Sequence, residues 1–237
     1  MPIVNRLVPE ELETYKLSET DENTTIGTFV RDMLPVATGG IVLDVGAGLG
    51  DIGAFAFPDR AAVLIDIADF RHNGCKLHER RLVDFFACDP GDLPPIDLML
   101  MSHVLQYIDD DVGRLNARVQ LLNPKHLLVV CDIPDEFQLN VFSWFKQNGI
   151  AFNAEVPVAG FPPKAFRSVS RREFSGRIQT PDFATLADRL ANLIFDASID
   201  RVQCRMFARW LQEILPEPVV AIPQSVELFL NSERASV

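Results

Sequence analysis

The decapeptide Ile41-Val42-Leu43-Asp44-Val45-Gly46-Ala47-Gly48-Leu49-Gly50 gathers residue types that could do chemistry at close spacing. An apolar run reaches a carboxylate, breaks into alternating glycines and re-enters an apolar stretch. That is the pattern of a buried strand, a tight turn and a helix start. Glycines let backbone N–H and C=O groups approach a ligand with no Cβ in the way, and the start of a helix adds partial positive charge. Asp44 sets a carboxylate at the carboxyl end of the strand, where open α/β sheets bind ligands. The segment reads as a site for a nucleoside-type cofactor.

Two registers fit these glycines. Gly48-Leu49-Gly50-Asp51-Ile52-Gly53 satisfies G-x-G-x-x-G, which implies a dinucleotide and an NAD(P)-dependent oxidoreductase. That fingerprint starts several residues after the strand ends. The register Asp44-Val45-Gly46-Ala47-Gly48-Leu49-Gly50 starts at the strand itself. It resembles the first motif of class I S-adenosylmethionine (SAM)-dependent methyltransferases, with an acidic residue two before the first glycine. A carboxylate at the turn repels an anionic pyrophosphate and attracts a sulfonium with an amino-acid end.

The downstream spacing favours the second register. Ala61–Ile65 is a second buried strand ending in Asp66, a ribose acceptor that suits SAM and NAD equally. Val83–Cys88 is expected as the third strand, ending in Asp89. Ile96–Met101 is the fourth, running into Ser102-His103-Val104-Leu105-Gln106-Tyr107. His126–Val130 with Cys131-Asp132 is the fifth. Four motifs in order, over roughly residues 27–150, are similar to the small-molecule type of this family (methyltransferase type 11/12-like). The resemblance implies a Rossmann-like, seven-stranded, mostly parallel sheet flanked by helices. It also implies SAM as cofactor and S-adenosylhomocysteine (SAH) as product. Gly46, Ala47 and Gly48 would then present backbone to the methionine end, and Asp44 would bind its amino group. Asp66 would hold the ribose with Ile67 beside the adenine, Cys88 and Asp89 would form the adenine-side pair, and Ser102 would complete the site. Asp44 bracing the turn and Asp89 capping the next turn are the plain structural alternatives.

Methyl transfer needs a general base only for a hydroxyl, an ammonium or a carbon acid. His103, just past the fourth strand, is the candidate by position and titrates near neutral pH; capping the next helix is its structural alternative. Tyr107 is a second catalytic candidate, positioning the acceptor through its hydroxyl, and Asp132 is a substrate-facing candidate. A methyltransferase-like protein without turnover, acting as a binding partner, is the remaining functional reading.

At 237 residues and 48% hydrophobic, the chain can bury a full core as a single domain. No apolar run approaches the ~20 residues that span a bilayer, and the first residues lack a secretory apolar segment. Cys75, Cys88, Cys131 and Cys204 are scattered without metal or disulfide spacing, so no metal and a cytoplasmic location are expected. A net charge of −11 argues against nucleic acid as partner, as does the absence of a Pro-rich motif after the fourth strand. A small-molecule acceptor is favoured, in keeping with a biosynthetic enzyme. One region opposes the overall charge: Lys164, Arg167, Arg171, Arg172 and Arg177 stand against the single acid Glu173. It reads either as a solvated face or as a patch where Arg171 and Arg172 hold an anionic group of the substrate.

The positioning elements follow. Residues 1–26 are a polar N-terminal cap segment, 27–150 the SAM-binding core and 151–237 the substrate-side elements with an extra C-terminal helical element. A helix is expected at Ile26–Leu34, stopped by Pro35, with others over 112–122 and from Gln138 to Gln147. Beyond Ile150, two strands (150–158 and 166–178) and two helices followed by a last strand at 219–230 are alternatives. Phe183, Leu186, Ala187, Leu190, Leu193 and Ile194 share one helical face; Met206, Phe207, Trp210, Leu211, Ile214 and Leu215 share another. These stripes serve the core, a roof over the substrate, or a homodimer interface.

Overall fold

The computed structural model describes residues 15–33, 40–70, 75–105, 111–153 and 159–234. Seven strands form one sheet: β1 (Ile41–Val45), β2 (Ala62–Asp66), β3 (His78–Leu82), β4 (Ile96–Ser102), β5 (His126–Asp132), β6 (Phe166–Gln179) and β7 (Val219–Asn231). Their order is β3-β2-β1-β4-β5-β7-β6. The first five run parallel, and β7 pairs antiparallel with β5. β1 and β5 are buried along their whole length, because helices cover both faces of a parallel sheet and demand near-continuous apolar runs. The helices are α1 (Glu22–Met33), α2 (Asp51–Ala56), α3 (Val112–Leu122), α4 (Glu136–Gln147), α5 (Phe183–Arg189) and α6 (Arg201–Ile214). α5 runs on into a π-helical turn at Leu190–Ile194.

The chain divides into two compact units. One comprises residues 23–132, 156–174 and 224–237 and contains β1 to β5. Strand alternation splits its core: Leu43, Val45, Met99, Met101, Leu127 and Val129 pack on one face, while Val42, Leu64, Leu98, Leu100, Leu128 and Val130 pack on the other. The other unit comprises residues 1–22, 133–155 and 175–223. Its core holds Tyr15, Phe145, Leu186, Leu190, Phe195, Phe207 and Leu211. Asp135 and Asp200 each form a capping box that starts α4 and α6.

Three expectations need correction. The third strand is His78–Leu82, not Val83–Cys88. The apolar run at 83–88 is a turn: the Asp84 carbonyl accepts from Ala87 N at 2.9 Å and Cys88 N at 3.0 Å, and its Oδ1 accepts from Phe86 N at 2.8 Å. A short Asp side chain that satisfies the backbone locally competes with strand pairing. The strand itself was hidden by its polarity, as β3 ends the sheet and leaves polar side chains in solvent. The region after Ile150 resolves into one long strand (β6), then α5 and α6, then β7. Residues 150–153 are not a strand, and 154–158 lie outside the described residues. The helix expected at Ile26 starts earlier, at Glu22. Among the described residues no helix is long and apolar enough to cross a membrane.

Candidate functional site

The strand order reverses between β1 and β4, the switch point where an open α/β sheet leaves a crevice beyond its strand carboxyl ends. Both segments singled out by their chemistry leave the sheet there. After β1, Gly46, Gly48 and Gly50 all take left-handed backbone, with φ of 66°, 53° and 75°, a conformation that carries little penalty only for glycine. A Cβ built on Gly46 would stand 2.5 Å from Cγ2 of Val104, so the turn and the segment after β4 touch at that position. At Gly48 nothing lies within 4 Å of such a Cβ. The crevice opens above this second glycine.

Asp66, ending β2, ties the turn down. Its Oδ2 accepts from Gly48 N at 2.8 Å and its Oδ1 from Ala68 N at 2.9 Å. A carboxylate offers about four lone-pair sites, so capacity for further donors remains. Beside it Ile67 is 78% exposed, an apolar side chain in solvent next to a polar anchor. Arg80 of β3 spans the two loops, donating from Nη1 to the Gly48 carbonyl at 2.8 Å and from Nη2 to the Ala68 carbonyl at 2.9 Å. The sequence reading missed Arg80, because it set the third strand at Val83–Cys88 rather than His78–Leu82; a cation in a polar edge strand was the available signal.

Asp44 is 3% exposed. Burial, with the Asp66 carboxylate adding to it and the Arg80 guanidinium opposing both, pushes its carboxyl up to about 8. A cation arriving at the turn would restore the charged form.

Across the crevice, Ser102 ends β4 with its Oγ buried and without a hydrogen-bond partner. A buried hydroxyl in that state calls for a ligand group or water. His103 follows with a φ of 51°, a strained conformation for a residue with a Cβ, of the kind that concentrates at functional sites. Its Nδ1 lies 3.6 Å from Oδ1 of Asp132, which ends the adjacent strand β5 and is itself 6% exposed. Adjacent strand ends thus bring together an imidazole and a carboxylate, a pairing that follows from the parallel β4/β5 register.

The remaining expected residues separate. Ala47 packs against the core beneath the turn. Asp89 is exposed and caps a short 3₁₀ turn, accepting from Gly91 N at 2.8 Å. Cys88 is 5% exposed, its thiol packed within the core. Its carbonyl and that of Phe85 accept from the buried guanidinium of Arg118 on α3. Arg118 was also missed, since nothing in a helical stripe distinguishes a cation that serves a distant loop. Tyr107 lies outside the described residues. Arg171 and Arg172 point to opposite faces of β6, as strand alternation requires. Arg171 lines a cavity with Glu227, whereas Arg172 sits over the Phe29 ring and 4.0 Å from Asp32. The proposed pair of anion-holding arginines is therefore not one site, and Arg172 is corrected. No cluster of three or more potential metal ligands occurs among the described residues.

No protein-family model and no curated protein matches the sequence. Solved structures do match. A protein assigned as a methyltransferase from Bacillus halodurans is 12% identical over 87% of this chain and 98% of its own, with a TM-score of 0.53. A cyclopropane-fatty-acyl-phospholipid synthase-like protein from Lactobacillus casei is 13% identical over 88% and 90%, with a TM-score of 0.51. A protein assigned as a sarcosine dimethylglycine methyltransferase from Galdieria sulphuraria is 11% identical over 90% and 86%, with a TM-score of 0.50. The chain has the Rossmann-like methyltransferase fold. At these identities the likeness is one of fold, and it does not choose an acceptor. Within the methyltransferase fold, the residues present fit SAM: a glycine turn that leaves room at Gly48, a buried carboxyl at Asp44, an anchor at Asp66 and an unsatisfied hydroxyl at Ser102.

Proposed function

We propose that this protein is a SAM-dependent methyltransferase acting on a small-molecule acceptor, with His103 as general base. The observation that carries the reading is the crevice at the β1/β4 switch point. It sets the left-handed Gly46–Gly50 turn on one side and the strained, Asp132-facing His103 on the other.

When bound, SAM supplies a methyl group already activated by a cationic sulfur. The chain's own residues then hold the cofactor, align the acceptor and exclude water. Asp44 takes the amino group of the methionine end, and the arriving cation offsets the burial that otherwise keeps the carboxyl neutral. Gly46 and Gly48 present backbone groups to the same end, and Ser102 Oγ gains a partner. Asp66 accepts from the ribose, Ile67 lies against the adenine and Asp89 stands on the adenine side. His103 takes a proton from the acceptor, and Asp132 orients the ring and stabilises the imidazolium. The acidic chain supports a small acceptor over nucleic acid, and four free cysteines support a reducing compartment.

Calorimetric titration of the full chain with SAM, SAH and NADH tests the cofactor assignment: SAM and SAH bind and NADH does not. Binding of NADH alone would sink it. SAH release is then followed with a metabolite extract as acceptor source. His103→Ala is expected to lower turnover by about 10² to 10⁴-fold while the SAM Kd holds. Undiminished turnover would remove His103 from the mechanism.

A further inference from the structure

Beside the proposed methyl-transfer edge lies a cavity of about 80 Å³, several times what one water needs. Leu105, Val129, Phe161 and Phe229 wall it with apolar surface, and Arg171, Ser225 and Glu227 bring polar groups to it. Its position follows from strand register. Ser225 pairs with Cys131 and Glu227 with Val129 across β5 and β7, so the cavity lies along the strand that ends in Asp132. Leu105 enters it two residues after His103.

The two charged groups form an incomplete pair. Nη1 of Arg171 is 4.0 Å from Oε2 of Glu227, beyond hydrogen-bond reach, so each group keeps capacity for a ligand lying alongside the pair. On its other side Nη2 of the half-exposed Arg171 donates to Glu173 at 2.9 Å. A purely anionic ligand here would face the Glu227 carboxylate, and a purely cationic one the Arg171 guanidinium. A ligand carrying both charges on neighbouring atoms satisfies each group without stranding the other.

We infer that this cavity is the acceptor site and that it takes a small α-amino acid, its carboxylate on Arg171 and its ammonium on Glu227. The inference rests on the methyl-transfer reading and sharpens its substrate class. The anionic group expected at the arginines becomes one half of a zwitterion.

The test titrates the full chain, with and without SAH, with each of the twenty common amino acids. For any that binds, the matching decarboxylated amine and deaminated acid follow. One or more amino acids bind, and both half-charged analogues bind about tenfold or more weakly, the loss expected when a hydrogen bond to a charged group is removed. Arg171→Gln and Glu227→Gln each weaken amino-acid binding to a similar degree and leave the SAH Kd unchanged. Failure of every amino acid to bind, equal binding of an amine or an acid, or unchanged affinity in both variants overturns the proposal. Loss of SAH binding in the wild-type chain would instead count against the methyl-transfer reading, and the titrations without SAH would still decide the cavity.

Discussion

Replacing Asp44 by Asn should change how stability depends on pH, with a size that follows from burial. The Asp44 carboxyl is raised from 3.8 to about 8 in the folded chain. Between those values the folded state keeps a proton that the unfolded state has released, so stability falls as pH rises. The contribution is complete below the unfolded value and is lost as pH climbs through about 8. At a little over 1 kcal/mol per pH unit, the wild type should lose about 2–3 kcal/mol between pH 5 and pH 7 through this one group. Asn mimics the neutral carboxyl in shape and cannot ionise. The assay is urea unfolding of both proteins at pH 5, 6 and 7, comparing the difference in unfolding free energy rather than either absolute value. That difference should grow in favour of Asp44→Asn by about 2–3 kcal/mol over the range. A difference constant within about 0.5 kcal/mol would refute the reasoning, because a group that titrates alike in both states contributes no slope.

Two further perturbations probe the same turn. Gly46→Ala meets Val104 at 2.5 Å and also takes a left-handed φ, whereas Gly48→Ala pays only the backbone cost in open space. Thermal melting should therefore rank Gly46→Ala below Gly48→Ala, with the latter near 1 kcal/mol of loss; adding Val104→Ala should recover part of the first loss and none of the second. Arg80→Met removes both carbonyl bonds that tie the Gly48 and Ala68 loops. SAM affinity measured by calorimetry should drop about tenfold with smaller change in melting temperature, since the cation positions loops more than it fills the core.

Much of this molecule was legible from residue pattern alone. Ile41–Val45, Ala62–Asp66, Ile96–Ser102 and His126–Asp132 read as strands because buried parallel strands need unbroken apolar runs. The glycine turn was legible because alternating glycines permit left-handed backbone at three positions at once. β3 was not, since an edge strand tolerates His78-Glu79-Arg80-Arg81 and the apolar run beside it was claimed by an Asp84 turn. Tertiary structure alone decided which distant residues meet. Parallel pairing of β4 with β5 sets Asp132 beside His103, and antiparallel pairing of β5 with β7 brings Glu227 to the cavity of Arg171. Alternation along β6 turned Arg172 away from it. Sequence periodicity reports which face of an element is buried. Register between elements depends on packing across the whole sheet, and that is where the facing groups of the site were chosen.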